Sequence, residues 1–509
     1  MPGMAWPSPG RQGPGWGLMR SALLLCLVIP PGAAGETGDR FDPPETHRAA
    51  RLALPGSRPR WLFAAPAPRP SAGRRWILLV LAEDGSFHVP RLGGGNARQP
   101  LSWERQPIPT DLTVEAPPAD LGGGRLAGAG REGFFIVVNA VQREWRFVRP
   151  SEPLSLLARA VGLASDTVAA VGKDGSLLLF REGGSGWRET QRLAPGSAEL
   201  PSPALPDAVL AAADLDGDGR KELVVPVAPS PRYRHGVLGD AIEPTELRAF
   251  RVEEGKLRFL ASFPAGGDRV FEALGAIAAD LDGDRREELL LTRSDAQGGA
   301  AHLVLGLEKG MLEVKAQGRP AGGSNRWSHL LGAFDVDSSG MKLLAVETPH
   351  LSGSLIALRM RGGELRERAR RPGFTTHTIG SRNLWQFALL RRGGLTEVVL
   401  QDRDRNRLVG LALLGNRWKV RWTLPLPSPV LSNIEAGDFD GDGQEDLALA
   451  DGAGSLLSSS FPAARVQPRA SQPLRKPSLG RMSADFSLKL FKNSKSILNH
   501  PGPLPIGWM

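Results

Sequence analysis

The chain has 509 residues, of which 41% are hydrophobic, so it carries enough apolar material for a folded core and is not a fully disordered protein. Its 62 glycines and 43 prolines favour many short strands and tight turns over long helices. The net charge of +9 comes mainly from arginines spread along the chain, which argues against a nucleic-acid-binding module.

The N-terminal residues 1–35 are predicted to be an export signal. Arg20 supplies a positive charge, residues 22–29 form an apolar core too short to span a bilayer, and the small residues of GAAG follow. Because the first residues are rich in proline and glycine, Met19 is a second candidate for the start of translation. We therefore expect a secreted or periplasmic protein without a transmembrane segment after signal removal. The one cysteine, Cys26, would be removed with the signal, so disulfides would not stabilise the mature chain.

Two segments of different composition flank the central region. Residues 36–75 are rich in proline, arginine and alanine, and we predict a linker in which one strand could dock. Residues 461–509 gain lysine, asparagine and serine, and we predict a basic, disordered tail.

The central region, residues 76–460, contains eight short apolar runs. The runs begin near Trp76, Phe134, Thr167, Lys221, Glu287, Met341, Leu395 and Glu445. Most intervals are about fifty to sixty residues, a period typical of propeller blades or solenoids, and Asp-Gly turns join antiparallel strands. The sequence therefore predicts an all-β protein, a β-propeller with blades of four antiparallel strands. Seven intervals favour seven blades, with eight as the alternative; a β-solenoid is less favoured because its period would be shorter and stricter.

Three acidic loops stand directly before apolar runs, where we expect the first strand of a unit. Each loop has acidic side chains at positions one, three, five and nine, and its seventh residue could contribute a backbone carbonyl. The predicted metal ligands are Asp214, Asp216, Asp218, Arg220 and Glu222 in the first loop, Asp280, Asp282, Asp284, Arg286 and Glu288 in the second, and Asp438, Asp440, Asp442, Gln444 and Asp446 in the third. Carboxylates at this spacing repel one another unless a cation lies among them, and so many oxygen ligands favour Ca2+ over Mg2+. We therefore predict about three calcium sites with a mainly structural role.

The sixth position of each loop needs a left-handed backbone, which glycine adopts without strain. Gly219 and Gly443 occupy it in the first and third loops, whereas Arg285 occupies it in the second, so we expect weaker calcium binding there. A degenerate fourth copy keeps only Asp335 and Asp337, and we expect no tight binding. The loops are not EF-hands, because the last acidic residue stands at position nine and a strand follows.

The segments VFEALGAIAADLDGDRREELLL and IEAGDFDGDGQEDLALADG resemble the FG-GAP or VCBS repeats of integrin α-subunit propellers and of exported bacterial proteins. The resemblance is strong at the three acidic loops and weak over the rest of residues 76–460. It implies a β-propeller in which calcium stabilises a loop between adjacent strands of a blade. Propellers of this kind also host enzymes.

One polar insert, APSPRYRHGVLGDAIEP, is expected between the first and second strands of the unit that begins with the first acidic loop. It collects Arg232, Tyr233, Arg234, His235, Asp240 and Glu243. Long loops on a rigid scaffold often carry function, and these side chains could bind an acidic sugar or take part in acid-base catalysis. The alternative is a solvated loop that packs across the propeller.

Enzyme motifs are scarce. The sequence has no HExxH, GxSxG, Walker or CxxC motif, and its eight histidines are scattered. The function favoured by the sequence is that of an exported calcium-binding β-propeller that binds a protein or a glycan. The alternative is a propeller-type polysaccharide lyase or hydrolase with a site near residues 226–247, and a purely structural exported protein is a third reading.

Overall fold

The alternating apolar runs and glycine turns form β-strands throughout the central region. The structure, a computed structural model, describes residues 45–47, 49–54, 56–66, 76–91, 102–103 and 107–461. The predicted export signal and residues 462–509 of the predicted tail lie outside the described residues. In the described part, the one helical element is the 3-10 helix Gly236–Leu238, and no helix is long and apolar enough to cross a membrane.

The described residues contain 36 strands, numbered in chain order. The first eighteen are β1 (Glu45–Thr46), β2 (Ala50–Ala53), β3 (Pro59–Pro66), β4 (Trp76–Ala82), β5 (Phe87–His88), β6 (Pro90–Arg91), β7 (Ser102–Trp103), β8 (Ala119–Asp120), β9 (Arg125–Ala129), β10 (Phe135–Asn139), β11 (Glu144–Val148), β12 (Val161–Ala164), β13 (Thr167–Val171), β14 (Leu177–Gly183), β15 (Gly186–Leu193), β16 (Ala211–Ala213), β17 (Glu222–Ser230) and β18 (Glu243–Glu253). The others are β19 (Lys256–Pro264), β20 (Val270–Phe271), β21 (Ile277–Ala279), β22 (Glu288–Asp295), β23 (Gly299–Glu308), β24 (Met311–Gln317), β25 (Ser328–Phe334), β26 (Lys342–Glu347), β27 (Ser354–Arg361), β28 (Glu364–Arg371), β29 (Phe374–Thr375), β30 (Phe387–Arg392), β31 (Leu395–Asp402), β32 (Arg407–Leu414), β33 (Arg417–Pro425), β34 (Val430–Gly437), β35 (Asp446–Asp451) and β36 (Ser455–Ser459).

Most of these strands form eight sheets in which consecutive strands pair antiparallel. Sheet 1 consists of β3–β5, sheet 2 of β8–β11, sheet 3 of β12–β15, sheet 4 of β16–β19, sheet 5 of β21–β24, sheet 6 of β25–β28, sheet 7 of β30–β33 and sheet 8 of β34–β36 with β2. The short strands β20 and β29 add pairings to the second strands of sheets 5 and 7, β1 pairs in parallel with β33, and β6 and β7 form a separate ribbon. One parallel pair, Gln317 with Glu364, links β24 of sheet 5 to β28 of sheet 6.

The last sheet is completed by a strand from the N-terminal side of the chain. β2 pairs antiparallel with β36, with Ala50 opposite Ser458 and Ala53 opposite Ser455. This pairing covers the outer edge of sheet 8, which would otherwise be open to pairing with another chain. Strands β1, β2 and β3 lie within residues 36–75, where the sequence predicts one docked strand, and β3 pairs with β4 in sheet 1.

Eight apolar cores lie between consecutive sheets. Successive side chains of a strand point to opposite faces, so each sheet contributes to two cores. Phe135 of sheet 2 and Phe180 of sheet 3, for example, stack with ring centroids 4.0 Å apart; burial of such a side chain contributes about 2 kcal/mol. The eighth core joins Phe439 and Ala448 of sheet 8 to Leu62 of sheet 1, which closes the ring.

The prediction of an all-β propeller with four-stranded antiparallel blades is confirmed. The number of blades, seven with eight as the alternative, stays a prediction. The last apolar run lies in sheet 8, which is completed by β2 rather than by the strand after it.

The acidic loops join the first and second strands of their sheets, which corrects their expected place before a first strand. The preceding strands β16 and β21 have only three residues each, too few to show an alternating pattern. The polar insert correspondingly lies between the second and third strands of sheet 4.

In an antiparallel sheet the turns after strands one and three lie at one end and the turns after strands two and four at the other. We call the first end the aspartate face and the second the insert face.

Candidate functional site

The three acidic loops share one backbone hydrogen-bond pattern. In the first loop the carboxylate of Asp214 accepts from the N–H groups of Gly217 and Gly219, both at 2.9 Å. Glu222, at position nine, accepts from the N–H of Leu215 at 2.9 Å. The second and third loops repeat these bonds from positions one and nine. Because the pattern is the same, the three loops are three copies of one conformation.

A buried apolar residue at position two anchors each loop to the propeller. Leu215, Leu281 and Phe439 each pack in the core between their own sheet and the next. The N–H of each donates to the position-nine carboxylate at 2.8–2.9 Å, and that carboxylate begins the second strand of the sheet. The core and the sheet therefore hold the acidic side chains together.

Carboxylate oxygens converge in all three loops. In each loop three acidic residues place oxygen atoms within 4.8 Å of one another. The groups are Asp214, Asp216 and Asp218; Asp280, Asp282 and Glu288; and Asp438, Asp440 and Asp446. At position seven, Arg220, Arg286 and Gln444 donate backbone N–H bonds of 2.8 Å to the position-five carboxylates. Converging oxygens of this kind are the ligands that calcium prefers.

The carboxyl groups at position nine have raised pKa values. Burial, reinforced by the neighbouring aspartates, raises the pKa of Glu222, Glu288 and Asp446 to about 7 in each case, although backbone hydrogen bonds partly oppose the shift. The surrounding negative charge thus disfavours the ionised form. A divalent cation among these groups would favour it instead.

Asp446 gives the clearest indication that a cation fits. Its side chain is buried, and its Oδ2 accepts from the N–H groups of Phe439 at 2.9 Å and Asp440 at 3.2 Å. Its Oδ1 is also buried but has no hydrogen-bond partner. A buried carboxylate oxygen without a partner is costly, and a cation held with Asp438 and Asp440 would satisfy it.

The second loop differs in two respects that should weaken cation binding. Arg285 has a φ of 72° at position six, a left-handed conformation that costs a residue with a Cβ about 1 kcal/mol. The guanidinium of Arg286 donates to Asp284 Oδ2 from Nε at 3.1 Å and from Nη2 at 2.9 Å. Asp284 is accordingly not among the converging groups.

In the degenerate fourth loop, a lysine ammonium group takes the central position. Lys342 is 1% exposed and donates to the carboxylate of Asp337, to Ser339 Oγ at 3.0 Å and to the carbonyl of Gly340 at 2.7 Å. Its Nζ lies 3.9 Å from Asp335. Burial raises the pKa of Asp337, but the hydrogen bonds from Lys342 and Ser339 prevail and lower it below the usual value. This loop therefore carries its own cation.

The structure separates the six candidate residues of the insert by exposure. Arg232, Arg234 and Asp240 are exposed, His235 is half-buried, and Tyr233 and Glu243 are buried. The hydroxyl of Tyr233 accepts from the N–H of Asn325 at 3.0 Å, so its ring is packed and is not a stacking platform for a sugar. Burial and the charge of Glu272 raise the pKa of Tyr233 to about 12, so the hydroxyl stays protonated at neutral pH.

Beneath the insert lies a buried acidic network. His235 Nδ1 bonds to the carboxylate of Glu272, whose other oxygen accepts from the hydroxyl of Ser294. Glu243 Oε2 is buried without a hydrogen-bond partner. Burial, followed by the charge of Glu272, raises the pKa of Glu243 well above its usual value, which favours the protonated form.

Three histidines gather around Trp327 on the insert face, His329 from strand β25 and His350 and His377 from two loops. The rings of His329, His350 and His377 lie 5.0, 6.0 and 4.9 Å from the indole. His377 Nε2 lies 2.8 Å from the carbonyl of Ser381 and therefore carries the proton, which leaves His377 Nδ1 to accept from His350 Nε2 at 3.2 Å. Burial, chiefly, lowers the pKa of His350 to about 4 and that of His377 to about 3, so both are neutral at pH 7. Sequence analysis missed this cluster because these residues are far apart in the chain and follow no motif.

The chain is similar to known structures in fold only. No protein-family model and no curated protein matches it. It is similar to Sqt1 from Saccharomyces cerevisiae with 11% identity and a TM-score of 0.50, over 82% of this chain and 100% of that chain. BamB from Moraxella catarrhalis (12% identity, TM-score 0.45, 81% and 96% covered) and the C-terminal WD40 domain of Sif2 (10% identity, TM-score 0.46, 81% and 99% covered) also align. The similarity to Sqt1 is one of fold alone and agrees with the β-propeller, while the finer resemblance to FG-GAP or VCBS repeats stays a prediction.

Proposed function

We propose that this chain is an exported, calcium-binding β-propeller that acts as a binding module for a protein or carbohydrate partner. The observation that carries the proposal is the convergence of three acidic groups in each of three loops, together with the unpartnered, buried Asp446 Oδ1. Hydrogen bonds within the loops leave these oxygens free to bind a cation as well. Calcium supplies the positive charge that these carboxylates lack.

Calcium has a structural role in this proposal. Each loop joins two strands and is anchored in a core, so a bound ion would tie the first strand of a sheet to the second. The loops lie on the aspartate face, whereas the polar insert lies on the opposite face. Extracellular modules bind calcium with dissociation constants of about 10⁻⁴–10⁻³ M, which suits an exported protein.

Recognition in this proposal belongs to the loops of the insert face. The scaffold of packed sheets is rigid, and the insert and the loops around it carry exposed arginines and aliphatic side chains. Loops held on such a scaffold are where binding residues concentrate. Calcium then acts on affinity only through the stability of the scaffold.

Thermal melting of the full chain in calcium and in EGTA tests the calcium part of the proposal, with bound calcium counted on the same sample. We expect a rise of several degrees in calcium, because a ligand that binds only the folded state stabilises it. Changing Asp216, Asp282 and Asp440 together to Ala should remove the rise. A matched variant with Asp268→Ala and Asp404→Ala, which removes exposed acids of the insert face, should keep it. A calcium response unchanged in the first variant would refute the assignment.

A polysaccharide lyase or hydrolase is the second candidate, favoured by one observation. Glu272 orients His235 through Nδ1, which leaves Nε2 on the half-buried side as a potential general base. The pKa of the nearby Glu243 is raised well above its usual value by burial, which favours the protonated form that a general acid needs. Release of reducing or unsaturated ends from acidic polysaccharide by the purified chain, and its loss in His235→Ala, would favour this function over pure binding.

A further inference from the structure

Several loops of the insert face are tied into one surface. The carbonyl of Val237 in the insert accepts from the N–H of Gly380 at 2.9 Å. Arg382 donates to Asp207 at 2.6 Å and to Asp240 of the insert at 2.8 Å. These bonds join sheet 4 to the connection between sheets 6 and 7. The loops 231–242, 318–327, 348–353, 376–384 and 403–406 form what we call the insert surface.

Further bonds hold the remaining loops in this surface. Arg405, from the turn after β31, donates to Thr378 Oγ1 at 2.7 Å and to the carbonyl of His377. His377 in turn bonds to His350 of the turn after β26. Residues 318–327 join through the bond from Asn325 to Tyr233. The surface is therefore held in place by contacts between loops and does not depend on any single one.

Three large aliphatic side chains are exposed on the insert surface. Ile242 is 41% exposed, Leu351 is 47% exposed and Ile379 is 66% exposed, and each comes from a different loop. The loops that bear them are joined by the bonds described above. Exposed apolar side chains that are brought together on one face, rather than scattered singly, mark interaction sites.

The same surface carries unpaired positive charge. Five exposed arginines have no ion-pair partner among the described residues, namely Arg232, Arg234, Arg319, Arg326 and Arg403. The acids of the neighbouring loops that also lack an ion pair are Asp268 and Asp404. Positive charge therefore exceeds negative charge, and an acidic partner is complementary to this surface.

The aromatic content of the surface discriminates between a polypeptide and a sugar. Apart from histidine, the aromatic rings in these loops are those of Tyr233 and Trp327, and both are buried. The apolar groups presented to a partner are aliphatic. A carbohydrate, which stacks on exposed rings, would find none in these loops, whereas aliphatic side chains of a polypeptide can pack on Ile242, Leu351 and Ile379.

We propose that the insert surface binds an acidic polypeptide segment that carries aliphatic side chains. This proposal rests on the proposed binding function and specifies the face and the class of partner. The arginines would attract the acidic groups and set the register, and the three aliphatic residues would supply the desolvated contact.

Binding of labelled synthetic peptides to the full chain in calcium tests the proposal. The probe is a short peptide in which leucine alternates with glutamate; the comparison probes are the same peptide with lysine for glutamate and an alginate oligosaccharide as an acidic sugar. We expect binding of the glutamate peptide that weakens with salt. Changing Arg234 and Arg403 to Glu should weaken it by about tenfold or more, and Ile379→Ser by about fivefold.

Matched controls lie away from the insert surface. Arg361→Glu changes the same charge at an exposed strand end near the aspartate face, and Met311→Ser removes an exposed apolar side chain from sheet 5. Both should bind the peptide like the unchanged chain. Melting in calcium verifies that every variant is folded.

Each result decides a separate point. Loss of peptide binding only in the insert-surface variants supports the proposal. Equal loss in the control variants, or no loss in any, overturns the assigned surface. Preference for alginate, lost in Arg234→Glu and Arg403→Glu, overturns the polypeptide but leaves the proposed binding module standing. Binding of no probe overturns this proposal, while the calcium response of the scaffold is judged independently by melting.

Discussion

Loops 214–222 and 335–343 occupy the same place in their sheets, between the first and second strands, but they meet the repulsion of clustered oxygens in different ways. In sheet 4 the oxygens of Asp214, Asp216 and Asp218 converge with no side-chain cation among them. In sheet 6 the buried ammonium of Lys342 lies among the equivalent positions and bonds to Asp337. In one copy the chain thus supplies positive charge with a lysine, and in the three acidic loops our proposal assigns that charge to calcium.

The pKa values of the acidic side chains also differ between the loop with the lysine and the loops without it. The hydrogen bonds of Lys342 and Ser339 overcome burial and lower the pKa of Asp337, whereas burial and neighbouring aspartates raise the pKa of Glu222 and Asp446 to about 7. A carboxylate beside a cation is stabilised in its charged form, and a carboxylate beside other carboxylates is not. The contrast shows what calcium would change in the three acidic loops.

Removal of the Lys342 ammonium group should have the largest effect on the free energy of unfolding. Lys342→Met leaves the half-buried Asp337 beside Asp335 without its partner, and loss of this partly buried ion pair should cost about 2 kcal/mol of the free energy of unfolding. Urea unfolding in EGTA measures the change. Lys221→Met, which removes a partly exposed lysine at position eight of the first loop, is the matched control and should cost less than about 1 kcal/mol. Equal stability of Lys342→Met and the unchanged chain would contradict the role of the lysine as internal cation.

The second-largest effect should come from pH, because the stability contributions of the acidic loops and of the loop with Lys342 depend on pH in different ways. The pKa of Glu222, Glu288 and Asp446 is raised to about 7 in the folded chain, so their contribution to stability is present below the ordinary carboxyl pKa and is lost as the pH rises through about 7. In EGTA the melting temperature should therefore fall over this range by a few degrees. The fall should be absent in calcium, because the cation favours the ionised groups. The lowered pKa of Asp337 acts only at more acidic pH, where its contribution is lost as the pH falls. Parallel pH profiles in calcium and EGTA would contradict a cation in the acidic loops.

Replacement of a single carboxylate should change the stability of the chain in opposite directions in EGTA and in calcium. At a pH above 7, Asp446→Asn removes an ionised, buried group, so we expect it to raise stability in EGTA by about 1 kcal/mol and to lower the stabilisation by calcium. Asp404→Asn is the control, because Asp404 is exposed on the insert face and is not among the predicted ligands. Melting curves of both variants in the two buffers give the comparison. The same sign of effect in EGTA and in calcium would show that Asp446 is not a ligand.

The smallest effect is expected at position six of the second loop. Arg285→Gly relieves a left-handed residue and should stabilise the chain by about 0.5–1 kcal/mol and tighten calcium binding at that loop. Calcium titration followed by calorimetry measures the second change. Gly443→Ala, which introduces strain at the same position of the third loop, should act in the opposite direction. If Arg285→Gly bound calcium more weakly, backbone strain would not explain the difference between the loops.

The aspartate loops could be read from the sequence because their chemistry is local. Nine consecutive residues contain the acidic ligands, the turn residues at positions four and six, and the apolar anchor at position two. The three-residue strands before the first and second loops could not be read, because such short strands have no periodicity. The sequence placed the insert one strand too early for the same reason.

The insert face was largely beyond sequence analysis. Tyr233 and Glu243 look like polar surface residues in the sequence, yet both are buried by loops from other sheets. Glu272, Trp327 and His377 are scattered along the chain and meet only because the turns after strands two and four lie at one end of the propeller. Sequence patterns relate residues that are close along the chain, so they carry no information on such contacts.

By itself, the sequence determined the all-β class, the repeated sheet unit and the acidic loops, because alternation of apolar residues and spacing of carboxylates are short-range properties. Only the tertiary structure decided that β2 completes sheet 8, that Lys342 lies among the oxygens of the fourth loop, and which loops form the insert surface. The reason is physical: each of these depends on groups that ring closure brings together from distant parts of the chain. Their interaction energies depend on distances in space, and these distances do not follow from spacing along the chain.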